Sequence, residues 1–157
     1  MDYFSATDFE PATGYRNNIC QVGKVRVESG IITQEINLLF QPPNNYYWNR
    51  FTDIHGIAAK DTLNSPAFAP VWQQIVPYIE NQNVIEHNGF GVYFSVLDKT
   101  LLHYSLQIAE YNKFCTYKIY RSNAANLRQE FNIPLNHHDA LSDAKAYTEL
   151  WLSKLWN

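Results

Sequence analysis

The stretch that decides the fold is YFSATDFEP, residues 3–11 of the chain. Residues 3–7 are apolar and aromatic, a composition typical of a β-strand, and Pro11 ends the strand because proline cannot donate to a β-ladder. Asp8 and Glu10 lie two residues apart at the carboxyl end of this predicted strand. Because side chains of extended backbone alternate between its two faces, this spacing places both carboxylates on the same face.

The residues that follow predict a hairpin and then alternating strands and helices. Residues 19–27 alternate apolar and polar side chains, residues 28–30 favour a tight turn, and residues 31–40 are again extended. The polar stretch 41–61 predicts a loop. Helices are predicted from Ser65-Pro66 through Ile79 and over 92–104, 124–132 and 140–155, and further strands over 83–86 and 113–116. This order predicts an α/β fold, one sheet flanked by helices.

The composition limits the class of protein. The chain has 157 residues, of which 46% are hydrophobic and 17% charged, so we expect one domain with a substantial core. No stretch approaches the roughly 18 uninterrupted apolar residues of a membrane helix, and the N-terminus lacks the features of a secretory signal, which together favour a cytoplasmic protein without a membrane partner. Cys20 and Cys115 form no CxxC pair, which disfavours structural zinc. A net charge of −3 argues against binding nucleic acid through a broad basic face.

Three acids and one histidine are candidates for chemistry. Asp8 and Glu10 end a strand, Asp143 lies in the first turn of the last predicted helix, and His138 precedes that helix. Open α/β sheets place their sites at this carboxyl edge, and a set of carboxylate oxygens suits Mg²⁺ or Mn²⁺. Taken alone, these acids are weak evidence for a metal site, since isolated acidic pairs are usually solvated surface residues.

The order of three motifs adds a family resemblance. Asp8-Phe9-Glu10 is followed by His87-Asn88-Gly89 and then by HDALSD at 138–143. This order resembles the DEDDh branch of the DnaQ-like 3′–5′ exonucleases, and the segments 19–23 and 54–57 also match that family. The resemblance implies an RNase H-like fold, with a five-stranded mixed sheet and helices on both faces. It implies that residues 1–157 form a single DEDDh-type exonuclease domain.

The resemblance also implies a chemistry and a set of residues. Two divalent ions, Mg²⁺ or Mn²⁺, would clamp the scissile phosphate, and a histidine would take the proton of the attacking water. Asp8, Glu10 and Asp143 would bind metal, and His138 would be the base; the adjacent His137 lacks the required spacing to Asp143. The implied substrate-binding residues are Phe9, Pro11, Ala12, His55, His87, Asn88 and Val92.

The sequence departs from the family pattern at the position of its fourth acid. The alignment places Tyr93 there, and a neutral tyrosine leaves three carboxylates for two divalent cations, so the second ion should bind weakly. Val92 stands where the family usually has an aromatic residue, which predicts the loss of a stacking contact. Glu86 precedes the second motif and is a less favoured source of the missing charge.

Three interpretations remain open from the sequence. The favoured one is a metal-dependent 3′–5′ exonuclease that releases nucleoside monophosphates from single-stranded DNA or RNA 3′ ends and is weakened by Tyr93. The second is an inactive exonuclease-fold module that binds nucleic-acid ends or a protein, such as a polymerase or a nuclease complex. The third is an α/β domain of another function whose acids are surface residues.

Overall fold

A five-stranded mixed sheet forms the centre of the protein in a computed structural model that describes residues 3–89, 91–122, 124–134 and 138–155. The strands lie in the order β3-β2-β1-β4-β5. Strands β1 and β2 pair antiparallel, as do β2 and β3, whereas β4 lies parallel to both β1 and β5. The strands are β1 Tyr3–Pro11, β2 Ile19–Glu28, β3 Ile31–Leu39, β4 Asn83–Glu86 and β5 Asn112–Cys115.

Helices lie between the later strands and after the last strand. They are α1 Asn49–His55, α2 Phe68–Ile75, α3 Tyr93–His103, α4 Thr116–Tyr120, α5 Ala124–Phe131 and α6 Ala140–Leu155. Among the described residues, none of these helices is long and apolar enough to cross a membrane. Cys20 and Cys115 are both buried, and both are free thiols.

Hydrophobic cores cover both faces of the sheet. On one face, Phe9 and Val22 pack with apolar side chains of α2 and α3. On the other face, Phe4 and Ala6 pack with Tyr147 and other side chains of α6. Because Asp8 and Glu10 share the strand parity of Phe4 and Ala6, their side chains lie on the face that α6 covers.

The structure confirms most predicted elements and corrects three. The bounds of β4 and α6 agree with the predicted 83–86 and 140–155. Strand β1 ends at Pro11, as predicted. Helix α2 begins at Phe68 rather than at the predicted Ser65-Pro66, and its N-cap Ala67 makes no side-chain capping bond. The predicted loop 41–61 contains α1, and α4 was not predicted. Both helices have fewer than eight residues, too few to show an apolar repeat.

Candidate active site

Strand β1 and helix α6 bring three carboxyl groups together. Asp8, Glu10 and Asp143 each offer an oxygen, and these oxygens lie within 4.8 Å of one another. The three residues are almost fully buried, with exposed fractions of 1%, 6% and 3%. The structure thus assembles the three acids that the sequence singled out, although Asp143 lies 135 residues beyond Asp8.

A capping network places the start of α6 against β2. Asp139 accepts a hydrogen bond from the backbone N–H of Ser142 at 3.0 Å, as an N-cap residue does. The Gln21 side chain bridges strand and helix: its Nε2 donates to Asp139 Oδ2, and its Oε1 accepts from the N–H of Ala140, both at 3.2 Å. These bonds fix the first turn of α6, where Asp143 lies.

Close backbone contact between β2 and α6 requires a glycine at position 23. A Cβ atom on Gly23 would lie 1.9 Å from the carbonyl carbon of Ala140. No side chain fits there, so the missing Cβ lets the first turn of α6 approach the sheet. Asp143 reaches the β1 carboxylates because of this approach.

Burial and mutual repulsion make the three acids hard to ionise. Burial raises the pKa of Asp8 well above its usual value, and the charges of Glu10 and Asp143 raise it further. Burial and the neighbouring Asp143 carboxylate raise the pKa of Glu10 to about 8, and burial raises that of Asp143 to about 6. A bound cation would remove this repulsion and favour the ionised carboxylates.

The donor set fits a hard divalent cation. All three groups are carboxylates, the ligands preferred by Mg²⁺ and Mn²⁺. In addition, Asp8 Oδ2 is buried and accepts no hydrogen bond from the described residues. Buried polar atoms normally have a partner, so this oxygen is available for an ion. Asp8, Glu10 and Asp143 are therefore the residues that could hold a metal.

His138 lies beside this cluster. Its backbone N–H donates to Asp143 Oδ2 at 3.1 Å. Burial is the largest influence on the pKa of Asp143 and raises it, whereas this hydrogen bond and, to a smaller extent, the charge of His138 lower it. Its backbone adopts a left-handed conformation with φ of 66°, which turns the chain immediately before α6. His137, which sequence analysis rejected as the base, lies outside the described residues.

Sequence analysis missed Tyr147, which contacts the site directly. Its hydroxyl donates a hydrogen bond to Asp8 Oδ1 at 3.2 Å, and the side chain is buried. Tyr147 lies four residues after Asp143, one helical turn further along the same face of α6. That spacing was the signal available in the sequence.

Tyr93 is the first residue of α3 and packs against the core that α2 and α3 cover. The negative charge of Asp8 is the largest cause that raises the pKa of Tyr93 well above its usual value, followed by burial and by the charges of Glu10 and Asp143. The tyrosine is therefore a close electrostatic neighbour of all three acids. Its hydroxyl is neutral there, as the sequence argument requires.

Glu86 lies on the opposite face of the sheet from this cluster, although its charge is a smaller cause of the raised pKa of Asp8, after burial and the charges of Glu10 and Asp143. Its side chain shares the parity of Val84, which packs in the core that α2 and α3 cover. Glu86 and Lys24 are both fully buried, and burial raises the pKa of the former and lowers that of the latter. Among the described residues, Asp8, Glu10 and Asp143 are the only group of three or more potential metal ligands, and Glu86 does not belong to it.

The predicted substrate residues at the end of β1 are held by hydrogen bonds. His55 Nδ1 accepts from the N–H of Ile57 at 3.1 Å, so Nε2 carries the proton and donates to the carbonyl of Pro11 at 3.0 Å. Ala12 is buried, and its backbone bonds to Asn18 and Trp48. The imidazole of His55 thus joins the carboxyl end of α1 to the strand that carries Glu10.

The other predicted substrate residues differ in accessibility. Phe9 is fully buried in the core, so only its backbone could meet a substrate. The His87 ring is also buried, and its Nδ1 shares a hydrogen bond of 2.9 Å with Thr116 Oγ1. Asn88 is exposed and Val92 is half-buried at the start of α3. For all seven residues, substrate contact stays a prediction.

Comparison with known proteins assigns the class that this fold and site define. A family model described as exonuclease matches residues 6–151, so the chain belongs to that exonuclease family. The match confirms the DnaQ-like resemblance. No curated protein sequence matches the chain.

Solved structures of exonucleases share the fold. Escherichia coli exonuclease I in complex with a dT13 oligonucleotide has a TM-score of 0.84 and 14% identity over 99% of this chain and 41% of its own. A 3′-exonuclease that recognises a histone mRNA stem-loop has a TM-score of 0.80 and 13% identity, over 98% of this chain and 63% of its own. Exonuclease X with 5′-overhanging duplex DNA has a TM-score of 0.73 and 18% identity, over 98% of this chain and 94% of its own. The predicted RNase H-like sheet with helices is confirmed.

Proposed function

We propose that this protein is a metal-dependent 3′–5′ exonuclease that hydrolyses the terminal phosphodiester of single-stranded DNA or RNA and releases nucleoside monophosphates. The observation that carries the proposal is the convergence of Asp8, Glu10 and Asp143 within 4.8 Å, next to His138. The neighbours of known structure include proteins bound to a single-stranded oligonucleotide and to an RNA stem-loop, which supports nucleic acid as the substrate.

Different residues of the chain would bind the metal and accept the proton in this reaction. Asp8, Glu10 and Asp143 would hold Mg²⁺ or Mn²⁺, which when bound lowers the pKa of water and neutralises phosphate charge. His138 would accept the proton of the attacking water, since imidazole titrates near neutral pH. The contact between the His138 backbone and the Asp143 carboxylate keeps the base next to the ligand set.

Tyr93 limits how tightly the site would bind a second metal ion. Three carboxylates carry three negative charges, so one divalent ion is well compensated whereas a second adds uncompensated positive charge. We expect one tightly bound ion and a second that binds only at high Mg²⁺ or in Mn²⁺, with correspondingly slow cleavage. The position of Tyr93 beside Asp8 also favours a second candidate function, an inactive module that binds nucleic-acid ends.

The test is degradation of single-stranded oligonucleotides labelled at the 5′ end, as DNA and as RNA, in Mg²⁺ and in Mn²⁺. We expect stepwise shortening from the 3′ end with monophosphate products, and loss of cleavage in Asp8→Asn and in His138→Ala at unchanged fold. Binding without any cleavage in Mn²⁺ would favour the inactive module. A partner such as a polymerase, and a cytoplasmic location, stay predictions.

A further inference from the structure

The buried face of α6 carries a tyrosine hydroxyl group that was not among the site residues predicted from the sequence. Tyr147 is 3% exposed, and its hydroxyl donates to Asp8 Oδ1 at 3.2 Å. The other oxygen of the same carboxylate, Oδ2, is buried and has no hydrogen-bond partner among the described residues. The two oxygens of Asp8 therefore have different surroundings.

A hydrogen bond to one oxygen restricts rotation of the whole carboxylate. Without it, the Asp8 carboxylate could turn about its Cβ–Cγ bond and exchange its two oxygens, because that torsion is broad. With it, Oδ1 is held towards α6 and Oδ2 keeps one direction. Partners of this kind orient metal-binding side chains in many proteins.

The tyrosine ring is itself fixed by a second contact. His87 stacks on Tyr147, with ring centroids 5.6 Å apart and an interplanar angle of 26°. Thr116 Oγ1 shares a hydrogen bond with His87 Nδ1 at 2.9 Å, and Tyr117 packs edge-on against the same imidazole at 5.7 Å. The His87 imidazole, which contacts the start of α4, thus packs against one face of the Tyr147 ring, while the Tyr147 hydroxyl donates to Asp8.

We propose that Tyr147 is a positioning residue that orients Asp8, so that Oδ2 rather than Oδ1 is presented to the divalent cation, and that His87 keeps Tyr147 in place. This inference rests on the metal site of the proposed function. It gives the buried His87 a part in assembling the site, in addition to the substrate contact predicted from the sequence. It does not require Tyr147 to touch substrate.

The test measures Mn²⁺ binding without nucleic acid, by the electron paramagnetic resonance signal of the free ion. We expect Tyr147→Phe, which keeps the stacked ring and removes only the hydroxyl, to weaken Mn²⁺ binding about 10–100-fold. The matched control is Tyr120→Phe, since Tyr120 donates to the carbonyl of Leu150 on α6 at 2.7 Å, a bond that involves none of the three acids. The control should bind Mn²⁺ within twofold of the wild type.

Two further readouts separate positioning from general stability. The increase in Tm that Mn²⁺ brings, measured against EDTA, should shrink in Tyr147→Phe and not in Tyr120→Phe. If cleavage is measured, excess Mn²⁺ should restore kcat in Tyr147→Phe, because the defect lies in binding the ion. Equal Mn²⁺ affinity in wild type and Tyr147→Phe would overturn the inference and leave the proposed function standing.

Other outcomes distinguish the two claims. Mn²⁺ binding that depends on Tyr147, without cleavage of any oligonucleotide, would overturn the proposed function and support the inference. A wild-type protein that binds no Mn²⁺ would overturn both. If Tyr147→Phe does not fold, a wild-type structure with Mn²⁺ decides: an ion on Asp8 Oδ2 with the hydroxyl still on Oδ1 supports the inference, and an ion on Oδ1 with the hydroxyl displaced overturns it.

Discussion

Replacing Glu10 by Gln tests the electrostatic cost of the buried acids. Burial and the charge of Asp143 raise the pKa of Glu10 from 4.5 to about 8. The folded protein therefore binds this proton more tightly than the unfolded chain does. It follows that the contribution of Glu10 to stability is fully present below pH 4.5 and is lost as the pH rises towards 8.

The expected magnitude follows from the size of the shift. Each pKa unit corresponds to about 1.4 kcal/mol, so the complete shift would correspond to about 5 kcal/mol. Because Asp8 and Asp143 share the repulsion, we expect Glu10→Gln to stabilise the metal-free protein by about 1 kcal/mol at pH 5.5 and about 3 kcal/mol at pH 8. The amide has nearly the shape of the acid and carries no charge, so packing is preserved.

The assay is urea unfolding in EDTA at several pH values, repeated with Mn²⁺. The wild type should gain stability from Mn²⁺, by about 2.7 kcal/mol at a hundred times the Kd, and Glu10→Gln should lose most of that gain. Glu149→Gln, at an exposed residue of α6, is the control and should change little at any pH. A stability difference between wild type and Glu10→Gln that does not grow with pH would refute the reasoning.

Three further perturbations test the approach of α6, the buried pair and the fourth ligand position. Gly23→Ala would place a Cβ atom 1.9 Å from the Ala140 carbonyl carbon. We therefore expect the free energy of unfolding, measured in urea, to fall by about 3 kcal/mol or more, and Mn²⁺ binding to weaken. Unchanged stability would contradict the close approach of α6 to β2. Lys24 and Glu86 are both fully buried, and the charge of each opposes the effect of burial on the pKa of the other. Lys24→Met and Glu86→Gln should therefore each destabilise, whereas the double variant should recover about 1–3 kcal/mol of their sum in a double-mutant cycle. Additive losses would show that the two buried groups do not interact. Tyr93→Asp adds a fourth carboxylate, so we expect a second bound Mn²⁺ and cleavage faster by about tenfold or more, with lower stability in EDTA. The stoichiometry of bound Mn²⁺ and the rate of oligonucleotide degradation measure the effect of Tyr93→Asp. No gain in either would show that residue 93 does not occupy the fourth ligand position.

Local patterns were reliable where the backbone geometry alone decides the outcome. The apolar repeat of α6 and the short β-rich segment of β4 predicted both elements with the observed bounds. Helices α1 and α4 were missed because their short lengths show no periodicity. The end of strand β1 at Pro11 was predicted correctly, because proline cannot donate a hydrogen bond to a β-ladder.

The candidate site divides in the same way. The sequence by itself determined that Asp8 and Glu10 share a face, because that follows from the period of two in a strand, and the motif order indicated Asp143 and His138. Only the tertiary structure decided that Asp143 meets the other two acids. That contact depends on Gly23 and on the capping of α6, which join residues more than a hundred positions apart.

The tertiary structure also decided which buried polar groups take part. Glu86 and Asp8 come from neighbouring strands, yet strand parity and the packing of α3 and α6 place them on opposite faces of the sheet. Tyr147 reads in the sequence as one more core residue of α6, and its hydroxyl meets Asp8 only because the helix packs across β1. Periodicity is a property of neighbouring residues, whereas the partner of a buried hydroxyl is set by how whole elements pack.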